Sequence, residues 1–153
     1  MPTIELETEI AAPIERVFDL SRCIDAHIDS ASKTKEQAVA GRTSGLIECG
    51  ETVTWSAVHF GIRQRLTVRI TELQRPNYFV DEMVSGAFKR MRHRHDFLPT
   101  AQGTLMKDVF EFDAPFGLLG RMAEKLILDR YMTQFLETRN AHLKCMLEDG
   151  TWT

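Results

Sequence analysis

The chain has 153 residues, enough for one domain to bury a core without disulfide or metal support. Hydrophobic and charged fractions of 43% and 27% are ordinary for a globular protein, and a net charge of -3 offers no general attraction to nucleic acid or anionic lipid. Cys23, Cys49 and Cys145 are odd in number and widely spaced, which speaks against a paired zinc or redox motif and for a reducing, cytoplasmic setting; nothing reads as a signal peptide or reaches membrane-spanning length.

In chain order, Ile4 to Ile10 alternates as a strand, with Ile4, Leu6, Thr8 and Ile10 on one face and Glu5, Glu7 and Glu9 on the other. Pro13 then stands at the first position of a helix, where its missing N–H costs nothing, with Glu15 in the first turn and Ile14, Val17, Phe18 and Leu20 as the buried stripe. Ile24 and Ile28 mark a short second helix, and Lys33 to Lys35 a loop. Glu36 to Arg42 reads as a weak strand, followed by turn residues around a short apolar piece at Leu46 and Ile47. Val53, Trp55, Ala57 and His59 share one parity, and Leu66, Val68 and Ile70 another beyond the break at Gly61.

Tyr78 to Ser85 and Phe88 to Leu98 read as a hairpin around Gly86, and Thr104 to Asp113 returns after a loop at 99 to 103. After Pro115 and a loop with Gly117 and Gly120, an amphipathic helix runs to Glu148, its apolar set including Leu119, Met122, Ala123, Leu126, Leu128, Tyr131, Met132, Phe135, Leu136, Leu143 and Leu147. Pro115, Phe116, Leu118 and Leu119 form an apolar lead into that helix. The expected organisation is a single domain over residues 1–149 and a C-terminal tail at 150–153. A meander of strands with helices at its ends suggests a sheet wrapped round the last helix, with an interior gap suited to a small apolar ligand.

The join Glu9-Ile10-Ala11-Ala12-Pro13-Ile14-Glu15-Arg16-Val17-Phe18, the stretch from Trp55 to Pro115 and the order of elements resemble the START/Bet v 1-like (SRPBCC) superfamily, and within it the bacterial polyketide cyclase/dehydrase and lipid transport group. The resemblance covers nearly the whole chain. It implies an α+β helix-grip fold: a curved seven-stranded antiparallel sheet round a long C-terminal helix, two short helices after the first strand, and a cavity between sheet and helix. It implies no catalytic residue, because no single catalytic motif unites these proteins.

Chemistry is expected on Arg90 to Phe97, where Met91, His93, His95 and Phe97 share the inner face and Arg90, Arg92, Arg94 and Asp96 the outer. With the Gly86 turn setting Asp81 opposite His93, and Phe97 opposite Thr104 in the next hairpin, Met106 lies beside His95 and Asp108 beside His93. His93 then sits between two carboxylates. Three readings stand open: a satisfied buried network, polar anchors in an apolar pocket, or a metal site. His-x-His on a strand directs both rings to one side, but a third ligand would have to come from His59, Asp81 or Asp108, and neither metal nor cofactor is expected.

The expected function is binding or transport of a small hydrophobic ligand, lipid, isoprenoid or polyketide-like. Its lining would comprise Trp55, His59, Phe79, Asp81, Met83, Met91, His93, His95, Met106, Asp108, Phe110, Met122, Leu126 and Phe135. The alternatives are a cyclase or dehydratase using His93, His95 and Asp108 as acid–base groups, and a scaffold whose core is filled by Phe79, Met83, Phe110, Phe112 and Phe135. The basic stripe of Lys89, Arg90, Arg92, Arg94, Arg63, Arg65 and Arg69 lacks interleaved aromatics and reads as a solvated sheet face rather than a nucleic-acid surface. His27 and His142 read as surface residues. No nucleic acid, stable membrane insertion or particular partner protein is expected.

Overall fold

A computed structural model describes residues 3–113 and 121–152 of the chain. The expected apolar lead at Pro115, Phe116, Leu118 and Leu119, with its two glycines, lies outside the described residues. Strand β1 (Thr3–Ile10) buries Ile4 and Ile10 and turns its three glutamates outward, as strict alternation requires. Helix α1 (Ile14–Ser21) begins one residue later than expected: Pro13 is extended and caps it, its carbonyl accepting the N–H groups of Arg16 and Val17. Val17, Phe18 and Leu20 are fully enclosed. Phe18 meets Phe79 and Phe97 edge-on at centroid distances of 5.4 and 5.2 Å, and burial of such a ring is worth about 1.5–3 kcal/mol. Helix α2 (Ile24–Ser30) follows, and the Lys33 to Lys35 loop holds one 3-10 turn, Ser32–Thr34.

Strands β2 (Gln37–Gly41), β3 (Thr52–His59), β4 (Ile62–Gln74), β5 (Tyr78–Gly86), β6 (Arg90–Thr100) and β7 (Gly103–Asp113) complete a seven-stranded antiparallel sheet in the order β1-β7-β6-β5-β4-β3-β2. The α1–α2 segment thus carries the chain from one edge of the sheet to the other, and β7 returns to pair with β1. Bulges at Thr67/Val68 and Ile70/Glu72 interrupt the β4–β5 ladder and bend it, giving the sheet a concave inner face. Leu46 and Ile47 form no strand; Leu46 makes an isolated bridge with Cys23, and Ile47 is buried.

The β5–β6 register is the expected one, with Asp81 opposite His93 and Glu82 opposite Arg92. The β6–β7 register is shifted by two residues: Phe97 pairs with Met106, and His95, not His93, pairs with Asp108. Pro99 is the reason. It belongs to the strand and pairs with Thr104, so the turn shrinks to Ala101 and Gln102. Thr100 and Gly103 close that two-residue turn as the hydrogen-bonded pair, which points the proline nitrogen away from β7. On that side β5 has already ended, since Tyr78 pairs with Asp96, and no ladder bond is lost.

Helix α3 (Arg121–Glu148) lies against the inner face, with Leu136, Leu143 and Leu147 in the core. It departs from simple amphipathicity in two places. Leu126 and Ile127 are 64% and 58% exposed, whereas Arg139 and Asn140 are buried. Its C-terminal end is tied to the β1–α1 junction: Ala11 N–H donates to Glu148 Oε2 at 2.9 Å, and Lys144 Nζ to the Glu9 carbonyl at 2.6 Å. The final residues pack too, with Trp152 against the core and its carbonyl accepting from Arg16. Among the described residues no helix is long and apolar enough to cross a membrane.

Candidate functional site

Between the concave sheet and α3 lies a cavity of about 1390 Å³, above the ~300–1,000 Å³ usual for small-molecule pockets. Its wall is largely apolar and aromatic. Alternation along β3 to β7 brings Val53, Trp55, Leu66, Val68, Phe79, Met91, Phe110 and Phe112 inward, and α3 contributes Leu128, Tyr131, Met132, Phe135 and Leu136. Phe60, Ile62 and Ile127 line it as well and are 59%, 64% and 58% exposed, so its mouth opens between the β3–β4 turn and the start of α3. The aromatic side chains proposed to fill a scaffold core stand on the walls instead.

A polar cluster built on β5, β6, β7 and α3 interrupts the wall. The inner positions of β6 stack the His93 and His95 rings at a centroid distance of 3.7 Å. The carboxylates reach them diagonally across the sheet. His93 Nε2 bonds Asp108 Oδ1 at 2.7 Å, and His95 Nε2 bonds Asp81 Oδ1 at 2.8 Å, although His93 is the residue opposite Asp81 and His95 the one opposite Asp108. His95 Nδ1 also approaches Asp108 Oδ1 at 3.4 Å. From α3, Asn140 donates to Asp108 Oδ2 at 2.8 Å, and Arg139 lies 3.5 Å from Asp108 Oδ1 while donating to the Ser21 carbonyl of α1 at 3.2 Å.

These contacts divide the protons. Burial, helped by the neighbouring His95 charge, pulls His93 down from 6.5 to about 4, although Asp108 opposes the shift. Burial also opposes charge on His95, but hydrogen bonds to Asp108 and Asp81 outweigh it and raise that ring. Burial would raise Asp108 and Asp81; their imidazole partners overcome it, leaving Asp81 below and Asp108 well below the usual carboxylate range. Of the two rings, His95 is therefore the one that holds a proton more readily and His93 the one kept neutral, beside two carboxylates and the Arg139 guanidinium. His93 gives its Nε2 proton to Asp108, which leaves Nδ1 as a bare acceptor on a residue that lines the cavity.

Asp81, His93 and His95 each place a ligand atom within 4.8 Å of the others, the spacing of a metal site. A cation seated there would have to break the bond between His95 Nε2 and Asp81, in the field of Arg139. The residues are instead joined in a hydrogen-bond network in which His95 Nδ1, 3.4 Å from Asp108 Oδ1, is the one nitrogen of the two rings that is buried without a bond among the described residues.

A second polar group lies on the Trp55 side. His27, expected at the surface, lies tilted by 35° against Trp55 with ring centroids 4.2 Å apart and bonds Glu36 Oε1 at 2.9 Å, and both His27 and Glu36 line the cavity. His59 Nδ1 meets the Tyr131 hydroxyl, and burial lowers the His59 pKa.

Of the expected lining residues, Trp55, His59, Phe79, Asp81, Met91, His93, His95, Phe110 and Phe135 border the cavity. Asp108 does not; it is 1% exposed and lies behind the histidines. Met106 is enclosed beneath α1, where Ser21 Oγ meets its sulfur, because the two-residue register shift carries it past the cavity floor. Leu126 points to solvent, Met83 is half-buried away from the cavity, and the Met122 side chain lies outside the described residues. Arg139 and Asn140 were legible in principle, since they occupy the buried stripe between Leu136 and Leu143, where a charged residue needs a partner.

The family model described as polyketide cyclase/dehydrase and lipid transport matches residues 1–148. No curated protein matches the sequence. Among solved structures, the Thermus thermophilus protein TTHA0849 superposes with a TM-score of 0.80 at 21% identity, over 99% of this chain and 100% of its own. A START superfamily protein from Mycobacterium smegmatis gives 0.71 at 15%, covering 96% and 97%. The ginseng (Panax ginseng) major latex-like protein 151 gives 0.68 at 12%, covering 95% and 97%. These likenesses concern the fold.

Proposed function

Since the chain belongs to the polyketide cyclase/dehydrase and lipid transport family, we propose that it binds a small, largely apolar molecule inside the cavity, as a carrier or receptor for a lipid, isoprenoid or polyketide-like compound. The observation that carries this reading is the open interior of about 1390 Å³ with an aromatic wall and few polar anchors. His93 offers Nδ1 as an acceptor, because Asp108 fixes the opposite nitrogen as donor. Mass spectrometry of the purified protein, first native and then after denaturation and solvent extraction, tests the proposal. A stoichiometric apolar molecule supports it. A mass equal to the bare chain, together with no uptake of Nile red, refutes it.

The same His93 supports a second reading. An imidazole oriented by a buried carboxylate is the arrangement of a general base for a cyclisation or dehydration, although burial, which holds it near 4, weakens it as a base. The two readings separate on His93→Ala: a carrier keeps uptake with altered affinity, whereas an enzyme loses turnover of whatever the extraction identifies.

A further inference from the structure

Glu36 is buried, lines the cavity, and commits only one carboxylate oxygen: Oε1 bonds His27, while Oε2 has no hydrogen-bond partner among the described residues. A buried carboxylate oxygen without a donor is costly, and such atoms are rare in folded proteins. Around it stand Trp55, His27, His59, Tyr131 and Phe135, an aromatic wall on the side reached from the β3–β4 turn. The charge of Glu36 reaches both His59 and Tyr131, favouring the protonated form of each. Tyr131 is already engaged with His59, and His27 with Glu36 Oε1. Among the described residues no donor remains for Glu36 Oε2, which leaves it open to a group on a bound ligand.

We infer that Glu36 is a second polar anchor of the cavity, separate from the His93 cluster, and that the ligand carries a hydrogen-bond donor, a hydroxyl or an ammonium group, for Glu36 Oε2. The inference rests on the ligand-binding reading and narrows it. An apolar body with a donor at the Trp55 side is favoured, and an otherwise identical molecule bearing only acceptors is disfavoured, because it would leave the carboxylate unpaired against a lone pair.

Displacement of Nile red by 1-decanol, decylamine and decyl methyl ether tests this on wild type, Glu36→Leu and His93→Leu. In the wild type the alcohol or the amine is expected to displace Nile red at a concentration about tenfold lower than the ether, the worth of one hydrogen bond to a charged group. Whichever of the two is stronger says whether the donor is neutral or cationic. Glu36→Leu is expected to level donor and ether while holding Nile red affinity within about twofold, and His93→Leu to preserve the preference. Should Glu36→Leu lose the wild-type circular dichroism spectrum, Glu36→Gln replaces it. Its amide serves an ether as readily as a hydroxyl, so it too is expected to level them. Equal displacement in the wild type, or a preference that survives at position 36 and vanishes in His93→Leu, overturns the inference and leaves the cavity reading standing. Failure of Nile red to bind the wild type overturns the cavity reading, and this inference with it.

Discussion

His93 and His95 are two residues apart on one strand, their rings stacked 3.7 Å apart, yet their proton affinities shift in opposite directions: burial and the neighbouring ring lower His93, whereas the carboxylates raise His95 against burial. The consequence is a stability profile with two limbs. In the unfolded chain His93 takes up a proton near pH 6.5, but in the folded protein only near 4, so stability falls as the pH drops between those values. For His93 alone the fall amounts to about 3 kcal/mol. His59, also lowered by burial, adds to the same limb. His95 works in the other direction: its raised value contributes stability that is complete below 6.5 and lost as the pH rises through its folded value. Urea denaturation across pH 4 to 8 is expected to show greatest stability near pH 6.5 to 7. In His93→Asn, which keeps a donor for Asp108, the acid limb should shrink by about 3 kcal/mol. An unchanged acid limb in that variant would show that His93 is protonated in the folded state at pH 5.

At the level of elements, the β5–β6 pairing was legible because two charge pairs, Asp81 with His93 and Glu82 with Arg92, agree on one register around Gly86. The β6–β7 pairing was not. Pro99 reads as a loop residue, and only the early end of β5 makes it acceptable in a strand. Diagonal side-chain reach then brought Asp108 to His93 even though the backbone pairing was misjudged. Glu36 and His27 escaped notice because their partners, Oε1 and the Trp55 face, come together only through the tertiary path of the α2–β2 loop. The tight β6–β7 turn has a price. A Cβ on Gly103 would lie 2.2 Å from the Ile10 carbonyl oxygen and 2.8 Å from the Ala12 nitrogen, backbone atoms that have no rotamer with which to move aside. Gly103→Ala should cost about 1–3 kcal/mol in equilibrium denaturation by loosening the contact between this turn and the β1–α1 junction. A variant within about 0.3 kcal/mol of wild type would show that the junction gives way freely.

For the molecule as a whole, α3 is supported unevenly: the C-terminal half is pinned through Arg139, Asn140, Lys144 and Glu148, whereas Leu126 and Ile127 stand in solvent beside the mouth. A ligand that fills the cavity binds only the folded state. Nile red at a hundred times its Kd is therefore expected to raise the Tm by roughly 5–10 °C, with the increment growing with the logarithm of concentration. A Tm that does not move while Nile red fluorescence rises would place the dye on the surface. The strand order has a consequence for synthesis. Among the described residues strand β1 pairs only with β7, Thr3 opposite Glu111, so while the chain emerges from the ribosome this strand has no ladder to join until β7 has been made. Glu5, Glu7 and Glu9 fit that interval: a negative charge at every second residue deters neighbouring nascent chains from pairing with the waiting strand.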